Sequence, residues 1–323
     1  MPGETVFRLP IAGAGGEPVD LRRTFLSHGF GDLPPMALDR GAHALEVTVP
    51  VAGGRPRTLW IAPADVGWAS VRVGGGPVGP RVGERLRVVL RHILRLDEDL
   101  SAFYAAAQGD PELAWACGGA GRMIRSPTVF EDVVKTICTT NCSWALTRKM
   151  VGTLVERLGA PAPGAPERGW RGRGFPSAEA MARAPRRFYR DVVRAGYRGP
   201  YLRAVARAAA DGSADLEALA RSGSSSLSDD EVAERLVALP GVGPYAAAHI
   251  MMLLGRYSRL TLDSWTRPAY AKLRGRRRIA DRTIVRYFRG YGAYAGLAFW
   301  LFLTRSWSVG SDWTTRYVPV GMS

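Results

Sequence analysis

Lysine is almost missing from this sequence. Only Lys135, Lys149 and Lys272 occur among 44 basic residues, so any chemistry that needs a primary amine has few candidates. Cysteine is scarce too. Cys117, Cys138 and Cys142 are an odd set with no secretory signal before them, which predicts reduced thiols and a cytoplasmic protein. Four closely spaced cysteines are absent, which excludes the usual ligand set of an iron–sulfur cluster. Cys138 and Cys142, four apart, share a helical face, but His28, His43, His92 and His249 are scattered and no structural metal is expected. Long hydrophobic runs are also absent. The longest, 293–304, is too short to span a bilayer and predicts a buried helix.

What is present in excess is positive charge. The 323 residues carry 44 Lys+Arg against 29 Asp+Glu, a net charge of +15. The isoelectric point near 10.4 points to a polyanionic partner, most often nucleic acid, unless the arginines only reflect a GC-rich coding sequence. An apolar fraction of 46% supports a well-buried core, and the length allows two domains.

Strand character dominates the first part. Residues 45–51 alternate, Gly53-Gly54 turns the chain, and segments 57–63 and 69–73 follow, the last ending in Gly74-Gly-Gly-Pro77. Alternation cut by Gly and Pro predicts an antiparallel meander. After Pro80 the periodicity becomes helical. Ser126 precedes Pro127 as an N-cap, with Thr128 to Glu131 offering a capping box just inside. The stripe Phe130, Val133, Val134, Ile137 follows; Ser143 caps a helix over 144–158 that Gly159 ends. Residues 161–176 are the main loop. Helices are expected near 178–195 and 201–210, before a flexible Ser222-Gly-Ser-Ser-Ser226 link. The expected fold is mostly α with a small N-terminal antiparallel β domain, residues 1–80, and a helical domain, 81–323.

The most informative stretch is Leu239-Pro-Gly-Val-Gly-Pro-Tyr-Ala-Ala-Ala248. Residues 230–238 make one helix and Pro244 sets the first turn of the next. Between them Gly241 and Gly243 supply backbone freedom. Such a hairpin leaves amides free at a helix N-terminus, a site suited to phosphate. The bare glycines would let a nucleic-acid backbone come close. A Gly-rich turn that binds nothing has the same composition.

Leu239-Pro-Gly-Val-Gly243 followed by Leu262-Asp263 resembles the helix-hairpin-helix-Gly/Pro-Asp motif of base-excision DNA glycosylases. The resemblance, from about residue 96 to 305, implies that fold, with two helical subdomains flanking a cleft. It implies that Gly241, Val242, Gly243 and Pro244 meet phosphate, partly through a sodium or potassium ion on the carbonyls of Leu239 and Val242. Asp263 would face the sugar of a flipped nucleotide. As an ordinary residue, Asp263 before Ser264-Trp265 is equally an N-cap.

Ile137-Cys-Thr-Thr-Asn141 is similar to the turn whose Asn fills the space of the flipped base in the 8-oxoguanine branch. Ala195-Gly-Tyr-Arg198 is similar to that branch's wedge, which makes Tyr197 the intercalating ring and Arg198 the contact to the orphaned base. The plain alternatives are a helix cap for Asn141 and surface positions for Tyr197 and Arg198.

The departures matter as much. Bifunctional members carry a lysine two residues past the second hairpin glycine; here Tyr245 stands, as an aromatic does in the 3-methyladenine branch. Tyr245 and His249, one helical turn apart, would line the base pocket together. Tyr294 falls in a pocket-lining region of the family, and Phe299 stands where the 8-oxoguanine branch carries a base-reading Gln. The same aromatics would also serve as core.

The expectation is a monofunctional glycosylase for alkylated or otherwise damaged purines, with 8-oxoguanine excision or non-catalytic lesion binding as the alternatives. Its partner would be double-stranded DNA, bound by a monomer at the nucleoid, with no organic cofactor.

Overall fold

A computed structural model describes residues 5–220 and 227–309; the expected Ser222–Ser226 link lies outside the described residues. The N-terminal part forms one antiparallel sheet from β1 (Thr5–Pro10), β2 (Met36–Asp39), β3 (Ala44–Val49), β4 (Arg57–Pro63) and β5 (Trp68–Val73). The strand order is β1-β5-β4-β3-β2. The expected meander is the β3-β4-β5 centre, and two further strands flank it. One face is apolar: Leu45, Val47, Leu59, Ile61 and Val71 are all buried. They pack under α2 (Pro80–Ile93) through Leu86, Leu90 and Ile93. That helix begins at residue 80, so the sheet shares its core with the first element past the β segment. The short α1 (Leu21–Phe25) adds Leu21 and Phe25 to the same core.

The helices form two further cores. One joins α4 (Val129–Thr139), α5 (Trp144–Leu158), α6 (Ala178–Arg183), α7 (Arg198–Ala210), α8 (Asp229–Val237) and α9 (Pro244–Leu253). The other joins α3 (Ser101–Ala107), α10 (Thr266–Leu273), α11 (Asp281–Phe288) and α12 (Ala295–Val309). Helix α9 belongs to both: Ile250 and Met251 face the first core and Met252 the second. Its C-terminus is held by Arg95, which donates to the carbonyl of Leu253 at 2.5 Å while paired with Glu98 at 2.7 Å. No helix among the described residues is long and apolar enough to cross a membrane.

Helix α4 is buried on every side except at its last residue. A charged residue there must be paired: Lys135 contacts Glu131 at 2.6 Å and donates to Ser126 Oγ at 3.2 Å. Its N-cap is Thr128, which accepts from the Glu131 amide, rather than Ser126. Ser126 is drawn inward to serve Lys135. Ser143 and Gly159 bound α5 as expected. The helix expected near 178–195 is interrupted at Ala184-Pro185; α6 stops at Arg183 and a single π-turn covers Phe188–Val192. Pro185 cannot continue the helical hydrogen-bond ladder.

Candidate active site at the seam of the two helical cores

The hairpin between α8 and α9 takes its shape from two different glycine requirements. Gly241 has φ +83°, and a Cβ there would lie 2.7 Å from the Tyr201 ring, so this glycine serves the left-handed turn and the packing of α7. Gly243 has an ordinary φ of −89° and caps α9. A Cβ on Gly243 would meet nothing within 4 Å, so its bareness leaves open surface. Pro244 follows in the first turn and no side chain caps the helix, which leaves the Gly243 and Ala246 amides open to an anion. The Val242 side chain is not part of that surface. It is 5% exposed and packs into the helical core, and its amide donates to the Leu239 carbonyl at 3.1 Å. Its carbonyl accepts no backbone hydrogen bond among the described residues.

Asp263 comes after α9, Gly255 and a short loop. One carboxylate oxygen, Oδ1, accepts from the amides of Trp265 at 2.9 Å and Thr266 at 2.6 Å. The Asp263 amide donates back to Thr266 Oγ1 at 2.8 Å. The capping role is therefore real and does not exclude another. Oδ2 makes no hydrogen bond among the described residues, so capping fixes the group while one oxygen remains open.

Asp263 lines a cavity of about 540 Å³, which also meets Asn141, Tyr197, Gly243, Tyr245 and His249. With Gly241 and Pro244, which also line it, seven of the expected site positions and the carboxylate thus converge, although they come from four separate stretches of chain. The volume is that of a small-molecule site. Asn141 has φ +46°, a left-handed conformation at the turn between α4 and α5 that Asn tolerates better than most residues. Tyr197 is 51% exposed, and its hydroxyl lies 3.3 Å from both Asn141 Nδ2 and the Thr140 carbonyl.

The cavity's inner wall is aromatic, and most of it was not expected. Phe30, Trp144, Trp265 and Trp300 line it together with His28. His249 stands at the centre of the set, with ring centroids 5.4 Å from Phe30, 5.7 Å from His28, 6.2 Å from Trp300 and 6.3 Å from Tyr245. Trp300 is anchored by its indole N–H, which donates to the Ser27 carbonyl at 2.7 Å. Burial pushes His249 down to about 4. Burial, with His249 beside it, pushes His28 down to about 3. Both rings are neutral at pH 7. His28 Nε2 donates to the Ile124 carbonyl at 2.5 Å while its Nδ1 accepts from the Phe30 amide. His249 Nδ1 is buried with no partner.

No protein-family model matches the chain, and none of the curated proteins matches it. Solved structures do. A 3-methyladenine DNA glycosylase from Archaeoglobus fulgidus aligns over 94% of this chain and 99% of its own, with TM-score 0.69 and 23% identity. The 8-oxoguanine glycosylase/lyase of Clostridium acetobutylicum in its apo-form aligns over 94% and 98%, with TM-score 0.69 and 19% identity. Its complex with double-stranded DNA carrying cytosine opposite 8-oxoguanine gives the same TM-score and identity over 95% and 98%. The chain has the helix-hairpin-helix DNA glycosylase fold.

Within this glycosylase fold three expected site residues lie elsewhere. Arg198 is 5% exposed and turns inward: Nε donates to the Thr140 carbonyl at 2.9 Å and Nη2 to the Asn141 carbonyl at 3.0 Å. It holds the Asn141 turn and cannot reach an orphaned base from there. Phe299 is fully buried among Tyr270, Phe288 and Phe302. Its neighbour Trp300 faces the cavity in its place. Tyr294 packs on Phe103 and Tyr257 in the second helical core, away from the cavity. Phe299 is displaced because α12 is apolar on every side, so composition does not say which face meets the cavity; Tyr294 ends the 3-10 turn before that helix.

Proposed function

We propose that the protein is a monofunctional DNA glycosylase that flips a damaged purine out of the duplex and hydrolyses its N-glycosidic bond. The observation that carries this is the single cavity in which a fixed carboxylate with one open oxygen stands against a ring-lined wall. The partner is double-stranded DNA carrying a damaged base, engaged by a monomer at the nucleoid.

Breaking the bond between C1′ and the base leaves positive charge on the deoxyribose. Asp263 Oδ2 would stabilise that charge and orient water for attack at C1′. The bonding pair leaves with the base, and the water gives up its proton to Asp263 Oδ2 as the new C1′–O bond forms. Flipping precedes this step because the bond is inaccessible inside the stack. Tyr197 would take the wedge position and Asn141 the vacated space, while the Gly243 and Ala246 amides grip a phosphate. A sodium or potassium ion on the Leu239 and Val242 carbonyls would add a second contact to that strand; the open Val242 carbonyl fits such a ligand.

The wall favours an alkylated purine over 8-oxoguanine. Its rings stack on any base, and each attracts a cationic one by about 0.5–2 kcal/mol. The two imidazoles stay neutral and do not oppose that charge. A cationic purine also leaves as a neutral molecule and needs no general acid. The experiment that tests the proposal presents one lesion per oligonucleotide duplex and measures free base released. Release of 3-methyladenine or 7-methylguanine with none of 8-oxoguanine is expected. Release of 8-oxoguanine alone reverses the substrate assignment, and release from no lesion removes the enzyme assignment.

A further inference from the structure

The turn Ala195–Arg198 has two sides. Tyr197 lines the cavity, whereas Gly196 lines a separate groove of about 440 Å³ between the π-turn and α7. Arg186, Arg190, Arg203 and Arg207 line that groove, and no carboxylate among the described residues does. Residues 183–207 carry eight arginines and a single acid, Asp191.

The groove is built rather than merely charged. Tyr189 forms its floor, 1% exposed and fixed by its hydroxyl, which donates to the Met181 carbonyl at 2.6 Å. Arg203 Nε donates to the Ala184 carbonyl at 3.2 Å, which holds its guanidinium in place with both terminal nitrogens left over. Arg203 and Arg207, four apart on α7, lie on one helical face. Arg186 and Arg207 make no hydrogen bond or ion pair among the described residues. Arg190 pairs only with Asp191 at 2.7 Å, with side chains 78% and 54% exposed, a contact that is weak in water and easily exchanged. Gly196 adds no side chain, and a Cβ there would meet nothing within 4 Å, so a backbone can approach closely. Four guanidiniums around one hollow repel one another unless an anion lies between them.

We propose that this groove holds phosphates of the DNA strand opposite the lesion. The inference rests on the wedge position of Tyr197 under the function proposed above. The hairpin grips the lesion strand on the cavity side of the wedge, which leaves the second strand on the side where Gly196 and the arginines stand. Phosphates match the groove better than an acidic peptide because they present a continuous line of charge to a row of forked donors.

Undamaged DNA tests this without depending on base excision. Wild type, R186A/R207A and R186K/R207K are titrated by anisotropy against one duplex and against its single strand over a salt series. At about 0.9 per lost phosphate contact, the duplex slope of log affinity on log salt falls by about 1.8 in the alanine pair and is kept by the lysine pair. The single-strand slope stays unchanged. Equal falls on duplex and single strand, or no fall on duplex, overturn the proposal. An unchanged duplex slope with lost binding of poly-glutamate assigns the groove to an acidic polypeptide and also overturns it. A wild type that grips duplex through this groove yet releases no base would sink the glycosylase assignment and leave this one standing.

Discussion

Arg198 lies against Tyr197, its guanidinium carbon 4.5 Å from the ring centroid, and both side chains donate to the carbonyl of Thr140. The wedge segment and the Asn141 turn are thus tied through one buried cation. Removing it in Arg198→Ala leaves the Thr140 carbonyl with the Tyr197 hydroxyl alone and strips the Asn141 carbonyl of its side-chain donor, which loosens the turn. The expected result is less 2-aminopurine fluorescence beside the lesion, with equal loss for every opposite base. Relaxed discrimination between opposite bases with undiminished flipping would show that Arg198 reaches the DNA after all.

Asp263→Asn keeps an oxygen able to accept from the Trp265 and Thr266 amides, so the fold should survive. Base release should fall by ~10²-fold or more, since the carboxylate acts on charge that develops only in the transition state. Affinity for lesion duplex should hold or rise. Single-turnover kinetics decide it, and a variant that keeps more than about a tenth of the wild-type rate is incompatible with the catalytic role.

The two hairpin glycines should fail in different ways. Gly241→Val forces a β-branched residue into φ +83° against the Tyr201 ring, and the protein should lose about 1–3 kcal/mol from the backbone alone. Gly243→Val sits in permitted backbone with open space around it, so it should fold normally and bind duplex poorly. Denaturant melts paired with anisotropy separate the two; a folded Gly243→Val with wild-type affinity would remove the phosphate site from the hairpin.

His249 carries a pH signature. Its folded pKa of about 4 lies below the unfolded value of 6.5, so between those values the unfolded chain holds the extra proton. The stabilisation is therefore full above the unfolded value and disappears as pH falls through about 4, with a size on the order of a few kcal/mol. His28 acts in the same direction. His249→Phe should flatten the loss of stability between about pH 7 and about pH 4.5, measured as denaturant midpoints. Parallel curves for variant and wild type would mean that His249 is charged in the folded protein.

A Schiff-base mechanism needs an amine at the sugar. None of the three lysines lines the cavity: Lys135 is buried against Glu131, while Lys149 and Lys272 are exposed on α5 and α10. The product should be an intact abasic strand that breaks only after alkali, with no adduct trapped by borohydride. Trapping that disappears on mutating one lysine would move the protein to the bifunctional class.

The hairpin, Asp263 and the Ser143 cap were legible in the sequence because each is a local device whose residues fix their own backbone. The aromatic wall was legible only in Tyr245 and His249, which share a helical face with the hairpin glycines. Trp300 was missed for Phe299 because α12 is apolar all round and gives no periodic signal. His28 and Phe30 belong to a single 3-10 turn, Gly29–Asp32, which His28 caps and which is too short to carry a periodic signal. Strand β1 escaped because it pairs with β5, and Thr5 faces Val73 across most of the sheet's sequence. Arg198 was placed at the duplex by its neighbour Tyr197, and only the packing of α7 on α4 turns it inward.

The bond from the Trp300 indole to the Ser27 carbonyl joins positions 273 residues apart. It has a consequence for biosynthesis. The aromatic wall takes His28 and Phe30 from the stretch before the second strand and Trp300 from the last described helix, so everything from residue 28 to residue 300 must be synthesised before the wall can close. The sheet, the wedge turn and the hairpin are all complete before then. A nascent chain can therefore hold the hairpin and the Tyr197 turn without a finished chamber, and under the proposed function grip would mature ahead of selectivity. Closure of so long a loop is also the slowest kind of contact to form. Under the proposed function, the contact of longest range is then the one that decides which base is admitted.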